Sequence, residues 1–252
     1  MWSRLEAAPT EEAVASSGLV VEVQGLKKAF GLTLALKGVD LKLPRGGLLV
    51  LFGPNGAGKT TLLKVLATLI RPTSGDGKIL GFDLLKEGEE IRKRIGVLAH
   101  GSYLYEDLTA LENLKFYAAM RGIDGGRERL LQALKEVDLD GCAALRVRTF
   151  SSGMKRRLAL SRLLLDEPEL LLLDEPFAGL DQQAMKLLER LLSGLKERGR
   201  SVIMATHSLG RGYDLSDQIA ILAQGKLVFE AKKDGIDLGE LKALYEASAG
   251  EG

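Results

Sequence analysis

Residues Gly53-Pro54-Asn55-Gly56-Ala57-Gly58-Lys59-Thr60 match the pattern G-x-x-x-x-G-K-S/T, and their flanks restrict the fold more than any other feature of the chain. Before the match stands a short apolar run, Leu48–Phe52, the pattern of a strand buried on both faces. After it, Leu62, Leu63, Val65, Leu66, Leu69 and Ile70 recur at helical spacing. Strand, glycine-rich turn and helix therefore follow in the order that phosphate binding requires. Glycines let the backbone curl so that successive N–H groups point at phosphate oxygens, and the helix adds the positive end of its dipole. Lys59 supplies a full charge for β- and γ-phosphates, and Thr60 offers a hydroxyl to Mg²⁺. A glycine-rich turn that binds nothing satisfies the same letters, but it does not require this context.

A phosphate loop needs a metal carboxylate on a neighbouring strand. Leu170–Leu173 followed by Asp174-Glu175 supplies one: four leucines make a buried strand, and the carboxylates emerge at its C-terminal end, where α/β sheets place their sites. Asp174 is the candidate Mg²⁺ holder and Glu175 the candidate for polarising water; a solvated strand end is the alternative. Asp166-Glu167-Pro168 mimics this pair but follows a helical pattern, and reads as a helix-ending turn.

Elsewhere, strands are expected around Val21–Val23, Leu41–Leu43, Ser201–Ala205 and Gln218–Leu222, with Gln224-Gly225 as a hairpin turn. Between about Tyr103 and Leu165 strand signals vanish. Thr109 and Glu112 form a capping-box pattern, and two further leucine-rich helical patterns follow, around Leu130–Val137 and Leu158–Leu164. Leu238, Leu241 and Leu244 suggest a closing helix. The fold expected is α/β, a core with an inserted all-helical segment, preceded by a tail over residues 1–18.

Of 252 residues, 46 % are hydrophobic and 27 % charged, which argues against disorder as the main state. Lys and Arg total 35 against 34 acidic residues, so net charge gives no reason to expect a nucleic-acid partner. One cysteine, Cys142, excludes an internal disulfide and suggests a reducing compartment. No apolar stretch approaches the ~20 residues of a membrane helix, and no signal peptide is visible, so a soluble chain is expected.

The remaining motifs make residues 19 to about 228 resemble the ATP-binding cassette (ABC) ATPases, the nucleotide-binding subunits of ABC transporters. Phe150-Ser151-Ser152-Gly153-Met154 stands where the family carries Leu-Ser-Gly-Gly-Gln; Ser151 and Gly153 match, while Ser152 and Met154 depart. A serine-rich helix N-cap is the alternative there. Ala178-Gly179-Leu180-Asp181 resembles the family's D-loop, and Thr206-His207 its switch histidine. Phe30 stands where the family stacks an aromatic ring on adenine, although a plain surface phenylalanine fits as well. His100 stands where the family usually has a metal- and water-contacting glutamine; its imidazole either keeps that role or is merely tolerated.

The resemblance implies a P-loop NTPase core, RecA-like, with an antiparallel β subdomain and an inserted α-helical subdomain at about 102–165. It implies an ATPase domain over 19–236 and a C-terminal helix and tail over 237–252. ATP would be held by Phe30, Asn55, Gly56, Ala57, Gly58, Lys59, Thr60 and Thr61, and Mg²⁺ by Thr60, Asp174 and His100. Glu175, His207 and Lys59 would be catalytic. Ser151, Ser152, Gly153 and Met154 would cap the γ-phosphate held by a second cassette, and Asp181 would couple the two sites.

The partners implied are a second ATPase subunit and an integral membrane permease, with Tyr103, Leu104 and Tyr105 as docking candidates. The chain would then lie in the cytoplasm, peripheral on the inner face of the membrane, powering export. His100 and the segment Leu108–Leu114 are similar to the haem-exporter ATPases of cytochrome c maturation. The competing reading is a soluble ABC ATPase of repair, translation or cluster assembly.

Overall fold

The structure is a computed structural model, described for residues 18–98 and 104–249. The chain opens with a long antiparallel ladder, β1 (Leu19–Phe30) against β2 (Thr33–Pro44). β4 (Ser74–Ile79) runs antiparallel along the other edge of β1 and carries β5 (Phe82–Asp83), giving the order β2-β1-β4-β5. The second sheet is built on β3 (Leu48–Phe52), β6 (Ile95–Leu98), β7 (Leu170–Asp174), β8 (Ser201–Ala205) and β9 (Gln218–Ala223), all parallel, with β10 (Lys226–Lys232) antiparallel at one edge. Its order is β10-β9-β3-β8-β7-β6.

The unbroken apolar runs of β3 and β7 have a simple cause. Side chains alternate across a strand, and both faces of this sheet are covered. Leu49, Leu51, Leu170 and Leu172 join the core beneath the antiparallel sheet. Val50, Phe52, Leu171 and Leu173 join the core shared with the helical segment. Each fully buried Leu contributes about 1.5–3 kcal/mol relative to exposure.

Helix α1 (Lys59–Leu66) follows the glycine-rich turn. It is shorter than the periodicity through Ile70 suggests. Thr68 takes a left-handed φ of 56°, its N–H donates to Val65 O, and the Leu69 N–H donates to Lys64 O. This is a Schellman stop, built here on threonine instead of glycine, and it leaves Leu69 exposed. Helix α2 (Gly88–Arg94) leads into β6.

Between β6 and β7 the described chain is helical: α3 (Ala110–Arg121), α4 (Arg127–Lys135) and α5 (Ser152–Asp166), with two short 3₁₀ turns between α4 and α5. The capping box forms as the sequence suggests. The Thr109 hydroxyl accepts from Glu112 N–H, and the Glu112 carboxylate accepts from Thr109 N–H. Glu167 ends α5 in a left-handed cap, so Asp166-Glu167 is the helix-ending turn anticipated. Helices α6 (Gln182–Glu197), α7 (Leu209–Leu215) and α8 (Leu238–Ala249) complete the chain. Gln224 and Gly225 both have positive φ and close the β9–β10 hairpin, as a two-residue primed turn requires.

Candidate nucleotide site

β3 and β7 flank β8, so the glycine-rich turn after β3 and the carboxylates at the end of β7 open at the same edge of the sheet. Two glycines allow the turn its path. A Cβ on Gly53 would lie 2.1 Å from Leu222 O, and one on Gly58, at φ 105°, would lie 2.6 Å from Ala35 O. The β9–β10 turn braces the loop from behind, with Gly225 N–H donating to Ala57 O at 2.9 Å. Gly58 caps α1 without a side-chain bond, and the first turn of α1 carries no acidic residue of its own, so its N–H groups face the loop without a side-chain cap.

The turn, the start of α1 and the end of β7 enclose a cleft of about 300 Å³. Asn55, Gly56, Ala57, Gly58, Lys59, Thr60 and Thr61 line it together with Asp174 and Glu175. Lys59 is buried, and its ammonium donates to Gly53 O at 2.5 Å and to Pro54 O at 3.1 Å. Burial pulls its pKa down, and the Glu175 and Asp174 carboxylates pull it back up. The ammonium thus rests on neutral carbonyls that an anion can replace.

The Thr60 hydroxyl donates to Asp174 Oδ2 at 2.7 Å, and Asp174 is buried. These are hard oxygen donors side by side, the kind Mg²⁺ takes when water and phosphate complete its shell. The Glu175 carboxylate is held from the other side. Its Oε2 accepts from the Thr206 hydroxyl at 3.2 Å and lies 3.0 Å from His207 Nδ1. Lys59, Thr60, Asp174, Glu175 and His207 therefore converge from three segments of the chain.

The other sequence candidates fall elsewhere. Phe30 ends β1 half-exposed, with the Lys28 ammonium 5.0 Å from its ring centre. It is not among the residues that line the cleft; Ala35 of β2 is, and sequence reading did not find it. Ser151 caps α5, its hydroxyl accepting from Met154 N–H at 3.2 Å. Ser152 is exposed, Gly153 buried and Met154 packed against the core. The N-cap arrangement that sequence reading kept as an alternative is thus present. Gly153 faces Gly179 and Asp181, and Asp181 itself caps α6 through Ala184 N–H at 2.8 Å. His100 and Tyr103 lie outside the described residues.

One further residue touches the site. From helix α5, the Arg156 guanidinium donates to Asp174 O at 3.1 Å and to Glu175 O at 2.8 Å. Burial lowers its pKa, and the same two carboxylates raise it. Sequence reading missed it: it sits in the basic run Lys155-Arg156-Arg157 near the start of α5, where nothing in the residue types marks one arginine out from its neighbours.

A family model described as ABC transporter matches residues 36–178. The daunorubicin resistance ATP-binding protein DrrA3 of Streptomyces coeruleorubidus is 37 % identical over 225 residues, 88 % of this chain and 70 % of that protein. The lantibiotic transport ATP-binding protein SrtF of Streptococcus pyogenes is 34 % identical over 220 residues, 86 % of this chain and 92 % of that protein. Among solved structures, the dimeric post-hydrolysis state of the ATP-binding cassette MJ0796, bound to ADP and Pi, matches with a TM-score of 0.79 at 28 % identity. That match covers 86 % of this chain and 100 % of the other. An ATP-binding subunit of an ABC transporter matches with a TM-score of 0.82 at 29 % identity, over 90 % of this chain and 99 % of the other. With the match extending through the phosphate loop and both carboxylates of β7, the chain belongs to the ABC transporter family, as one of its ATP-hydrolysing cassettes.

Proposed function

We propose that the chain is the ATPase subunit of a membrane exporter, bound at the cytoplasmic face of the membrane to a separate permease and paired with a second cassette. One observation carries this reading. A glutamate held by Thr206 and His207 stands beside a lysine and a threonine presented by a phosphate loop. In this reading Lys59 and the loop N–H groups grip the β- and γ-phosphates. Thr60 and Asp174 hold Mg²⁺, which neutralises phosphate charge when bound. Glu175 orients and deprotonates the attacking water, and His207 contacts the γ-phosphate. Phe30 stacks on adenine. Ser151 and the Gly153 N–H reach the γ-phosphate of the second cassette, and Asp181 couples the two sites.

Residues 19–236 make up the ATPase domain, about 102–165 its helical subdomain and 237–252 the C-terminal segment. Export is supported by the relatives, whose names refer to drug resistance and lantibiotic transport. No helix among the described residues is long and apolar enough to cross a membrane, and the reading assigns the pore to the permease. Docking is supported by Tyr105 and Phe116, exposed rings packed edge-to-face at 4.7 Å, with exposed Met120 one turn further along α3. Similarity to haem exporters rests on His100 and residues 108–114 alone. The test is affinity purification of the tagged full chain from detergent-solubilised membranes of its native host. A polytopic membrane protein that co-elutes and raises ATPase turnover is expected. ATPase activity confined to the soluble fraction, with no membrane partner, would overturn the transport assignment.

A further inference from the structure

Glu175 is held in an unusual backbone conformation. Its φ is +47°, in the left-handed region that non-glycine residues enter only when their surroundings compel it. Three contacts surround its peptide. Its N–H donates to Ala205 O at 2.9 Å, and its carbonyl accepts from Ala178 N–H at 3.1 Å and from Arg156 at 2.8 Å. The same Arg156 nitrogen reaches Asp174 O at 3.1 Å, so one guanidinium spans the two carbonyls on either side of the strained residue's N–Cα unit. Arg156 is not among the residues lining the nucleotide cleft. It acts on the backbone behind the carboxylate, and it does so from α5, the helix that begins at Ser151 and Ser152.

We propose that Arg156 is a positioning residue for hydrolysis: by bridging Asp174 O and Glu175 O it holds the left-handed backbone of Glu175, and so the aim of its carboxylate, in register with helix α5. The inference rests on the reading of Glu175 as the group that polarises water. Without the bridge, Ala205 and Ala178 still tether the peptide, but its twist is free to relax, and the carboxylate swings with it. Lysine is a poor replacement here. Both bonds come from one terminal guanidinium nitrogen, which lies one bond further from the backbone than a lysine ammonium reaches, and the ammonium is the more strongly hydrated charge to bury.

The test compares the full-length wild type with Arg156→Ala, Arg156→Lys, Glu175→Gln and the Arg156→Ala/Glu175→Gln double variant. Phosphate release gives kcat and KM, titration with Mg-ATP gives Kd, and thermal melting reports folding. Misplacement of a reacting group by an ångström costs on the order of 10²-fold in rate, so kcat of Arg156→Ala is expected to fall by about that factor with Kd almost unchanged. Arg156→Lys is expected to melt like the wild type and still turn over slowly; should Arg156→Ala fail to fold, this variant carries the test. Because both residues act through one carboxylate, Arg156→Ala should add little to the loss already caused by Glu175→Gln. Wild-type turnover in Arg156→Ala, full recovery of kcat in Arg156→Lys, or fully multiplicative losses in the double variant would each overturn the inference and leave the ATPase reading intact. A wild type that binds no Mg-ATP would remove both.

Discussion

A methyl group added at Gly58 has nowhere to go. Its Cβ would sit 2.6 Å from the Ala35 carbonyl oxygen and 3.2 Å from a Leu36 methyl, at a φ of 105°. Ala35 lies on β2, and this strand is clamped to β1 on one side and to the β9–β10 turn through Lys37 N–H and Gly225 O at 2.7 Å. Neither the strand nor the loop can give way cheaply. Disfavoured backbone costs about 1–3 kcal/mol, and overpacking against a rigid neighbour costs about 1–3 kcal/mol more. A loss of roughly 4 kcal/mol is expected for Gly58→Ala, which for a chain of this size lowers Tm by about 8–16 °C.

Gly56 supplies the internal comparison: it too has positive φ, 80°, but a Cβ there meets nothing within 4 Å, so Gly56→Ala should lose only the backbone part, about 1–3 kcal/mol. Gly141, with ordinary φ and open surroundings, should tolerate alanine within about 0.5 kcal/mol. Calorimetric melting of the nucleotide-free proteins reads the series directly, because bound ligand would add its own stabilisation. Equal melting of Gly58→Ala and Gly56→Ala would refute the claim that the approach of β2 is what demands glycine at position 58.

Glu175→Gln keeps the shape of the side chain and removes the charge next to Lys59. Turnover should fall by about 10²–10⁴-fold while Mg-ATP binding persists. Gel filtration with Mg-ATP should then show a long-lived dimer; a rate equal to wild type would contradict the assigned role. Tyr117 offers a test in the helical segment. Its hydroxyl donates to Asp166 at 3.1 Å, and burial, aided by that carboxylate, pushes its pKa up to about 12. Folded protein therefore keeps a proton that unfolded chain releases near pH 10. The stabilisation is complete below that pH and is lost as pH rises toward 12, an effect of order 2 kcal/mol. Tyrosine absorbance should show one component titrating near pH 12 that disappears in Tyr117→Phe; its persistence there would exclude Tyr117 as the source.

Most of the parallel sheet was legible because burial on both faces leaves continuous runs such as Leu48–Phe52 and Leu170–Leu173, which no surface element tolerates. The phosphate loop and the Asp174-Glu175 pair were legible for a related reason: each ends such a run. β4 was not. Its sequence, Ser74-Gly75-Asp76-Gly77-Lys78, has no apolar alternation, and it forms a strand because β1 approaches so closely that a Cβ on Gly77 would lie 2.4 Å from Glu22 O. The end of α1 was misjudged because its left-handed stop is Thr68, which is not the glycine that usually announces one. Arg156 stayed hidden because its partners are main-chain carbonyls, and a bond to a carbonyl leaves no mark on the identity of the residue that supplies it.

The N-terminus of α5 shows why two readings of one sequence need not compete. Ser151-Ser152 reads equally as a helix cap and as a contact for a neighbour's phosphate. The cap uses an acceptor lone pair of the Ser151 hydroxyl, which takes the Met154 N–H at 3.2 Å. A hydroxyl has two acceptor lone pairs and one donor proton, so capping does not consume the proton that an anion would need. The cap also fixes the rotamer and places the hydroxyl at the positive end of a 15-residue helix. The same holds in reverse for Asp181, whose acceptor capping of Ala184 N–H leaves its second oxygen beside Gly153. Local helix chemistry thus orders both loops in the lone chain, and an approaching second cassette would meet a hydroxyl and a row of N–H groups whose ordering cost folding has already covered.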